Sequence, residues 1–158
     1  MKFRVSEDVD APLAMVWERF IDFSGFEEET RGRGVTLTRV GNWTETAENV
    51  EWPGVVTIHG KARPIASRVA QLVAQKLCVI ESRIGGMECH YEMNFVPLST
   101  EVTRVALVMD LSAKTLTARL LLQTLKLARS RVLQRLQGLI ARQGNEVEAA
   151  YRHSQRRG

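Results

Sequence analysis

The residues able to do chemistry are few and poorly grouped. Three histidines (His59, His90 and His153) and two cysteines (Cys78 and Cys89) are the candidate metal ligands and nucleophiles. No histidine stands at a metal-ligand spacing from a cysteine, a carboxylate or another histidine, whereas zinc sites show clustered ligands. Cys89 and His90 are neighbours, but adjacent residues on a strand point to opposite faces, so they make a poor nucleophile–base pair. Gly32-x-Gly34 lacks the third glycine of a dinucleotide fingerprint and precedes a strand instead of following one, so it reads as a turn. Asn42-Trp43-Thr44 matches a glycosylation sequon, which carries no weight without a secretory leader. No metal, nucleotide or other cofactor is expected, and no residue is assigned a catalytic role.

What remains is the chemistry of a pocket. Strand alternation puts Trp52, Val56, Ile65, Ser67, Val69, Ile80, Ser82, Tyr91, Met93, Val105, Leu107 and Met109 on one inward face, with Leu121 and Leu125 facing them from a helix. Plain core packing is the competing reading for any one of them. The mixture favours a ligand site, because such sites are apolar with a few placed polar groups, here Ser67, Ser82 and Tyr91. Met93 and Met109 can adapt to an irregular ligand. The set holds no Asp, Glu, Lys or His, and an unassisted tyrosine is a weak case for acid–base catalysis.

Several elements must position this face. Phe3, Val5 and Val9 alternate with polar residues, which predicts a strand over 2–9. Asp10 and Pro12 then start a helix over 12–22 with Leu13, Val16, Trp17 and Phe20 at helical spacing. A second short helix is expected around 24–29. From Val35 the period is two. Gly41–Glu48 reads as a loop. Val50 to Ile58 shares one parity but is interrupted by Pro53-Gly54, which predicts an edge or a bulge. Gly85-Gly86 is a two-residue hairpin signal. Pairing across it matches Ile84 with Met87, Ser82 with Cys89, Ile80 with Tyr91 and Cys78 with Met93, so turn and alternation agree. The two cysteines are not opposite one another, which disfavours a disulfide. A last strand covers 103–111. Ser112 is then expected to cap one long helix from Ala113 to about Gln143, with Gly144-Asn145 as its stop. The stripe Ala118, Leu121, Leu122, Leu125, Ala128, Val132, Leu136, Leu139 and Ile140 faces the sheet.

Length and composition agree with a single globular domain. The chain has 158 residues, 44% hydrophobic and 25% charged, and no apolar run long enough to span a membrane. Met1-Lys2-Phe3-Arg4 lacks the apolar core of a signal peptide, so a cytoplasmic protein is expected. The expected organisation is one domain over 1–143 and a basic, flexible tail over 144–158. The net charge is +4, and the basic excess lies in the C-terminal third. Residues 111–158 hold ten Lys and Arg against two Asp and Glu. Arg119, Lys126, Arg129, Arg135 and Arg142 punctuate the helix, and Arg152, Arg156 and Arg157 extend the charge. This predicts weak, salt-sensitive attraction to an anionic membrane surface. Specific nucleic-acid recognition is not expected, because Tyr151 is the only aromatic residue after Phe95.

The order of elements (strand, two short helices, antiparallel strands, long helix) resembles the helix-grip fold of the START-like superfamily, also called SRPBCC, which covers polyketide cyclases/dehydrases and lipid transport. Three stretches carry the resemblance. They are Met1-Lys2-Phe3 with Glu7 to Pro12, Val16-Trp17 and Asp22-Phe23; the run from Trp52 through Ile58-His59-Gly60-Lys61 to Val69; and Thr115 to Ala128, which resembles the last helix of bacterial members of unassigned activity. The resemblance implies an α+β fold with a curved antiparallel sheet of six or seven strands gripped against a long C-terminal helix. It also implies a hydrophobic ligand held between them. The leading expectation is non-catalytic binding or transport of a small hydrophobic molecule or lipid. The alternatives are a cyclase or aromatase enzyme, and a peripheral membrane or protein adaptor using the basic region. Fold alone does not choose among them.

Overall fold

The computed structural model describes residues 1–22, 35–37, 51–58 and 61–157. The expected second short helix, the loop at 41–48 and His59 lie outside these residues. The strands are β1 (Lys2–Val9), β2 (Val35–Leu37), β3 (Glu51–Ile58), β4 (Lys61–Val73), β5 (Leu77–Ile84), β6 (Met87–Pro97) and β7 (Thr103–Ala113). The helices are α1 (Leu13–Phe20), α2 (Leu116–Leu127) and α3 (Arg129–Arg157). The strands form one antiparallel sheet in the order β1-β7-β6-β5-β4-β3-β2. This is the expected α+β architecture.

Turn chemistry sets the register at the centre of the sheet. Gly85 has φ +49°, a conformation that costs other residues a steric clash of Cβ with the backbone. The turn at Gly85-Gly86 then pairs Ile84 with Met87, Ser82 with Cys89, Ile80 with Tyr91 and Cys78 with Met93, all as expected. Both cysteines are free. Pro53-Gly54 behaves differently from expectation. It runs through β3 with no register shift, opposite Ala66 and Ile65. On its other side β3 pairs with β2, Val35 opposite Val56 and Leu37 opposite Gly54. The irregularity of this region sits on β4, between Val69 and Gln71.

The C-terminal third departs most from the sequence reading. β7 continues to Ala113, held by pairing with Met87. Thr115, not Ser112, caps α2, its hydroxyl accepting the Ala118 N–H at 3.2 Å. The helix breaks at Ala128, whose amide is shared between the Thr124 and Leu125 carbonyls. No Gly or Pro marks this break; packing places it, since α2 leans on β7 while α3 leans on β1 and α1. The expected stop at Gly144-Asn145 is also corrected: α3 runs on to Arg157. Gly144 is buried against β1, where a Cβ would lie 3.0 Å from Val9 Cγ2. The missing side chain serves close approach, not termination.

Residues beyond 143 therefore join the core. Val147 is buried together with Ile140, Val16, Trp17, Phe20 and Phe95. Phe95 meets the Trp17 and Phe20 rings edge-on, at centroid distances of 5.0 and 6.1 Å. Glu146 accepts from Arg19 Nε and Nη2 at 2.9 and 2.6 Å. Glu148 accepts the Asp10 N–H at 3.0 Å, and the Tyr151 hydroxyl donates to Glu101 at 2.9 Å. On the far side of the α1 entry, the buried Thr103 hydroxyl donates to the Ala11 carbonyl at 2.9 Å.

The expected tail is therefore a structural helix, and its removal should show it. Val147→Ala should cost about 2 kcal/mol from lost burial and the cavity left, and deletion of 145–158 more. Gly138→Ala should stabilise by about 1 kcal/mol of helix propensity, because nothing lies within 4 Å of the added methyl. Gly144→Ala gains the same propensity but crowds Val9, and should fall well below Gly138→Ala. Urea unfolding of the four variants checks this order.

Candidate ligand-binding site

Alternation from the Gly85-Gly86 turn outward gives the sheet an inner face toward the helices and an outer face toward solvent. The inner face is not uniform. Val69, Cys78, Met93, Phe95, Val105 and Leu107 are buried and belong to the core shared with α1 and α3. Ile65, Ser67, Ile80, Ser82, Ile84, Cys89, Tyr91 and Met109 share that face and stay partly accessible. From α2, Leu121, Leu122 and Leu125 are likewise half-buried. The helix packing explains the division, since it falls mainly on β1, β7 and β6. The inner face thus has a closed half and an open half.

The expected ligand residues divide along the same line. Val69, Met93, Val105 and Leu107 are packed against protein in the closed half. Ile65, Ser67 and Ser82 belong to the open half, and Ile80, Tyr91, Met109, Leu121 and Leu125 form its rim, half-buried and packed against buried residues such as Phe3, Met87, Leu111 and Met93. Trp52 and Val56 take their places by backbone register, opposite Ser67 and Arg63.

Three hydroxyls supply the polarity of the open half. Ser67 Oγ and Ser82 Oγ lie 2.7 Å apart across β4 and β5. One hydroxyl donates to the other, and the second keeps its proton for another acceptor. No hydrogen bond reaches the Tyr91 hydroxyl among the described residues. Burial, with the Cys78 and Cys89 thiols beside it, pushes Tyr91 well above the usual phenol range, so it is a neutral donor. Burial also pushes Cys78 up to about 12 and Cys89 up to about 11, the latter helped by Asp110. Neither thiol is an activated nucleophile, since activation needs a lowered pKa.

Two inward charges escaped the sequence reading. Glu7 shares the parity of Val5 and Val9, and Gln137 Nε2 donates to it at 2.7 Å, fixing α3 on β1. Arg63 shares the parity of Ile65 and Ser67. Two-residue alternation with Val5 and Val9, and with Ile65 and Ser67, is the sequence signal that marks both as inward.

The outer face carries a separate cleft of about 220 Å³ near Glu81, Glu88, His90 and Asp110. Its charges pair with one another, Arg68 with Glu81 at 2.7 Å and Arg83 and Lys114 with Glu88 at 4.0 Å, and His90 Nδ1 lies 3.8 Å from Glu81. It is a solvated polar face with no metal-type cluster among the described residues. His153 is exposed on α3.

No family model matches the sequence, and no curated protein is similar to it. Solved structures are similar in fold. A protein from Thermus thermophilus superimposes with a TM-score of 0.66 at 20% identity, covering 95% of this chain and 99% of that one. The Zhui aromatase/cyclase from Streptomyces sp. R1128 gives 0.63 at 16% identity, over 90% and 94%. A START superfamily protein from Mycobacterium smegmatis gives 0.56 at 13% identity, over 87% and 98%. Likenesses of this size show the fold.

The thiols make a checkable statement about pH. The folded chain keeps thiol protons that the unfolded chain releases from about pH 9, the ordinary thiol value. Stability should therefore fall as pH rises from there toward 11–12, by about 1.4 kcal/mol per unit for each thiol. Cys78→Ala/Cys89→Ala should flatten that slope in urea melts from pH 8 to 10.5. Alkylation of the native protein at pH 8 should be slow, with Cys89 ahead of the fully buried Cys78.

Proposed function

We propose that this chain, which has the START-like (SRPBCC) helix-grip fold, holds a small hydrophobic molecule or lipid over the open half of its inner face and does not transform it. One observation carries this reading: apolar side chains and three hydroxyls on the helix-facing side of β4 and β5 and the adjoining part of β6 remain partly accessible, while Val69, Cys78, Met93, Phe95, Val105 and Leu107 on the same face are buried. Burying a ligand there would remove apolar surface from water at about 25 cal/mol per Å². Aromatase or cyclase chemistry, the activity named for the Streptomyces neighbour, is the second reading. It would need a proton acceptor at the ligand, and the open half offers a neutral phenol and one protonated thiol, that of Cys89, among the described residues.

The site should be separable from the core by mutation. Ser82→Trp fills the open half and should lower affinity for the neutral probe N-phenyl-1-naphthylamine at least tenfold with little change in melting temperature. Leu107→Ala opens a cavity in the closed half and should cost roughly 2–5 kcal/mol of stability while leaving probe binding intact. Fluorescence titration and urea melts give both readouts. Equal probe binding by Ser82→Trp and the native protein would remove the assignment.

The partner surface proposed for this carrier is an anionic cytoplasmic membrane face. No helix among the described residues is long and apolar enough to cross a membrane. α2, however, is apolar on two sides. Leu116, Leu120 and Leu127 point outward, 74, 57 and 93% exposed. At 100° per residue they fall within ~40° of one another, with Arg119 and Lys126 beside them. Leucines that insert and cations that meet lipid phosphates fit one surface, each cation adding on the order of 1 kcal/mol near an anionic leaflet. Flotation with phosphatidylglycerol vesicles should succeed at low salt and weaken at high salt. It should fail with phosphatidylcholine alone and be impaired by Leu120→Glu.

A further inference from the structure

Among the described residues, one buried side-chain polar atom has no hydrogen-bond partner: Nε of Arg63. Its place is informative. On β4, Ala62, Pro64 and Ala66 are exposed while Arg63, Ile65 and Ser67 between them are half-buried, so Arg63 belongs to the inner face. A Cβ on Gly85 would lie 3.8 Å from Arg63 Nη1, which puts the guanidinium beside the β5–β6 turn. The next residue, Gly86, is covered by Thr115, the N-cap of α2. Arg63 thus stands where β4, the hairpin turn and the start of α2 meet, at one end of the open half.

Nothing among the described residues neutralises it there. Glu81 and Glu88, the carboxylates of the adjoining hairpin, have outer-face parity and are engaged by Arg68, His90, Arg83 and Lys114. A guanidinium cannot relieve its burial by losing a proton. A water-shielded N–H without an acceptor is costly, and the cost disappears when an acceptor is supplied.

We infer that the molecule bound over the open half carries an anionic oxygen head, a carboxylate or a phosphate monoester. The head accepts from the Arg63 Nε–H, and the apolar tail runs over Ile65, Ile80 and Ile84 toward Tyr91 and Leu125. This rests on the binding reading above and adds the chemical class of the ligand. Arg63 is the residue that selects the anion. The three hydroxyls lie along the tail path and leave the head group to Arg63.

Calorimetric titration with decanoate, decyl phosphate and 1-decanol, which share one chain, tests this at constant ionic strength. The anions should bind the native protein about ten- to a hundredfold more tightly than the alcohol, as expected for a charge-assisted hydrogen bond in a shielded site. A preference for one anion alone identifies the head group. Arg63→Gln should bring the two anions to the affinity of 1-decanol and so abolish the preference. Arg63→Lys, which keeps the charge but not the Nε–H, should retain only part of it. In the native protein the Arg63 Nε–H NMR resonance should move downfield on adding decanoate and not 1-decanol. Equal affinities for all three ligands, or a preference that survives in folded Arg63→Gln, would overturn the inference and leave the binding reading standing. Binding of none of the three would remove both.

Discussion

A seven-stranded sheet has more apolar face than the described helices cover, and the rest of this molecule follows from that mismatch. α2 leans on β7, α3 on β1, and α1 reaches β6. Where helix meets strand the side chains are excluded from water, and Val69, Cys78, Val105 and Leu107 are fully buried. On the β4–β5 side the same face stays partly accessible. Apolar surface left accessible is stabilisation forgone, and the proposed ligand would recover it by covering that face.

The closed half depends on the end of the chain as much as on its beginning. Gly144 lets α3 approach Val9 closely, which sets Val147 into the aromatic group of Trp17, Phe20 and Phe95. Arg19–Glu146 and Asp10–Glu148 then fix the α1 entry against the same helix. Thr103 ties that entry to β7 from the other side. Residues far apart in sequence thus define one rigid end of the molecule. This is the scaffold that a binding surface needs, because side chains locked by packing hold their neighbours in place.

The open half combines an apolar floor, a serine pair, a neutral tyrosine and one unpaired guanidinium nitrogen. In the proposed reading a hydroxyl pair and a phenol orient the ligand, beside the Cys89 thiol that burial holds protonated. α2 borders this surface through Leu121 and Leu125 and turns its second apolar side outward. One helix thereby faces the proposed ligand and the proposed membrane, a short path for an apolar molecule that water would not carry.

The sequence by itself determined the strands, the Gly85-Gly86 register and the inward parity, because these are local: a turn that needs positive φ and a two-residue period suffice to place every side chain on the hairpin. It also determined that Cys89 and His90 diverge. The resemblance carried by the opening stretch, the central strands and the Thr115–Ala128 segment led to the right fold. Tertiary structure decided what local rules cannot see. Gly144 looks like a stop until Val9 is placed beside it, and Val147, Glu146 and Tyr151 look like a polar tail until α1 and Glu101 meet them. The break at Ala128 has no sequence breaker, since packing on two different strands puts it there. Alternation could say that Val69 and Ile80 point the same way. Only the path of the helices decided that one is sealed in the core and the other stays partly accessible, because burial depends on what covers a face and not on the face itself. For the same reason alternation marks Arg63 as inward but cannot show that its Nε lacks an acceptor, which is a property of the whole neighbourhood.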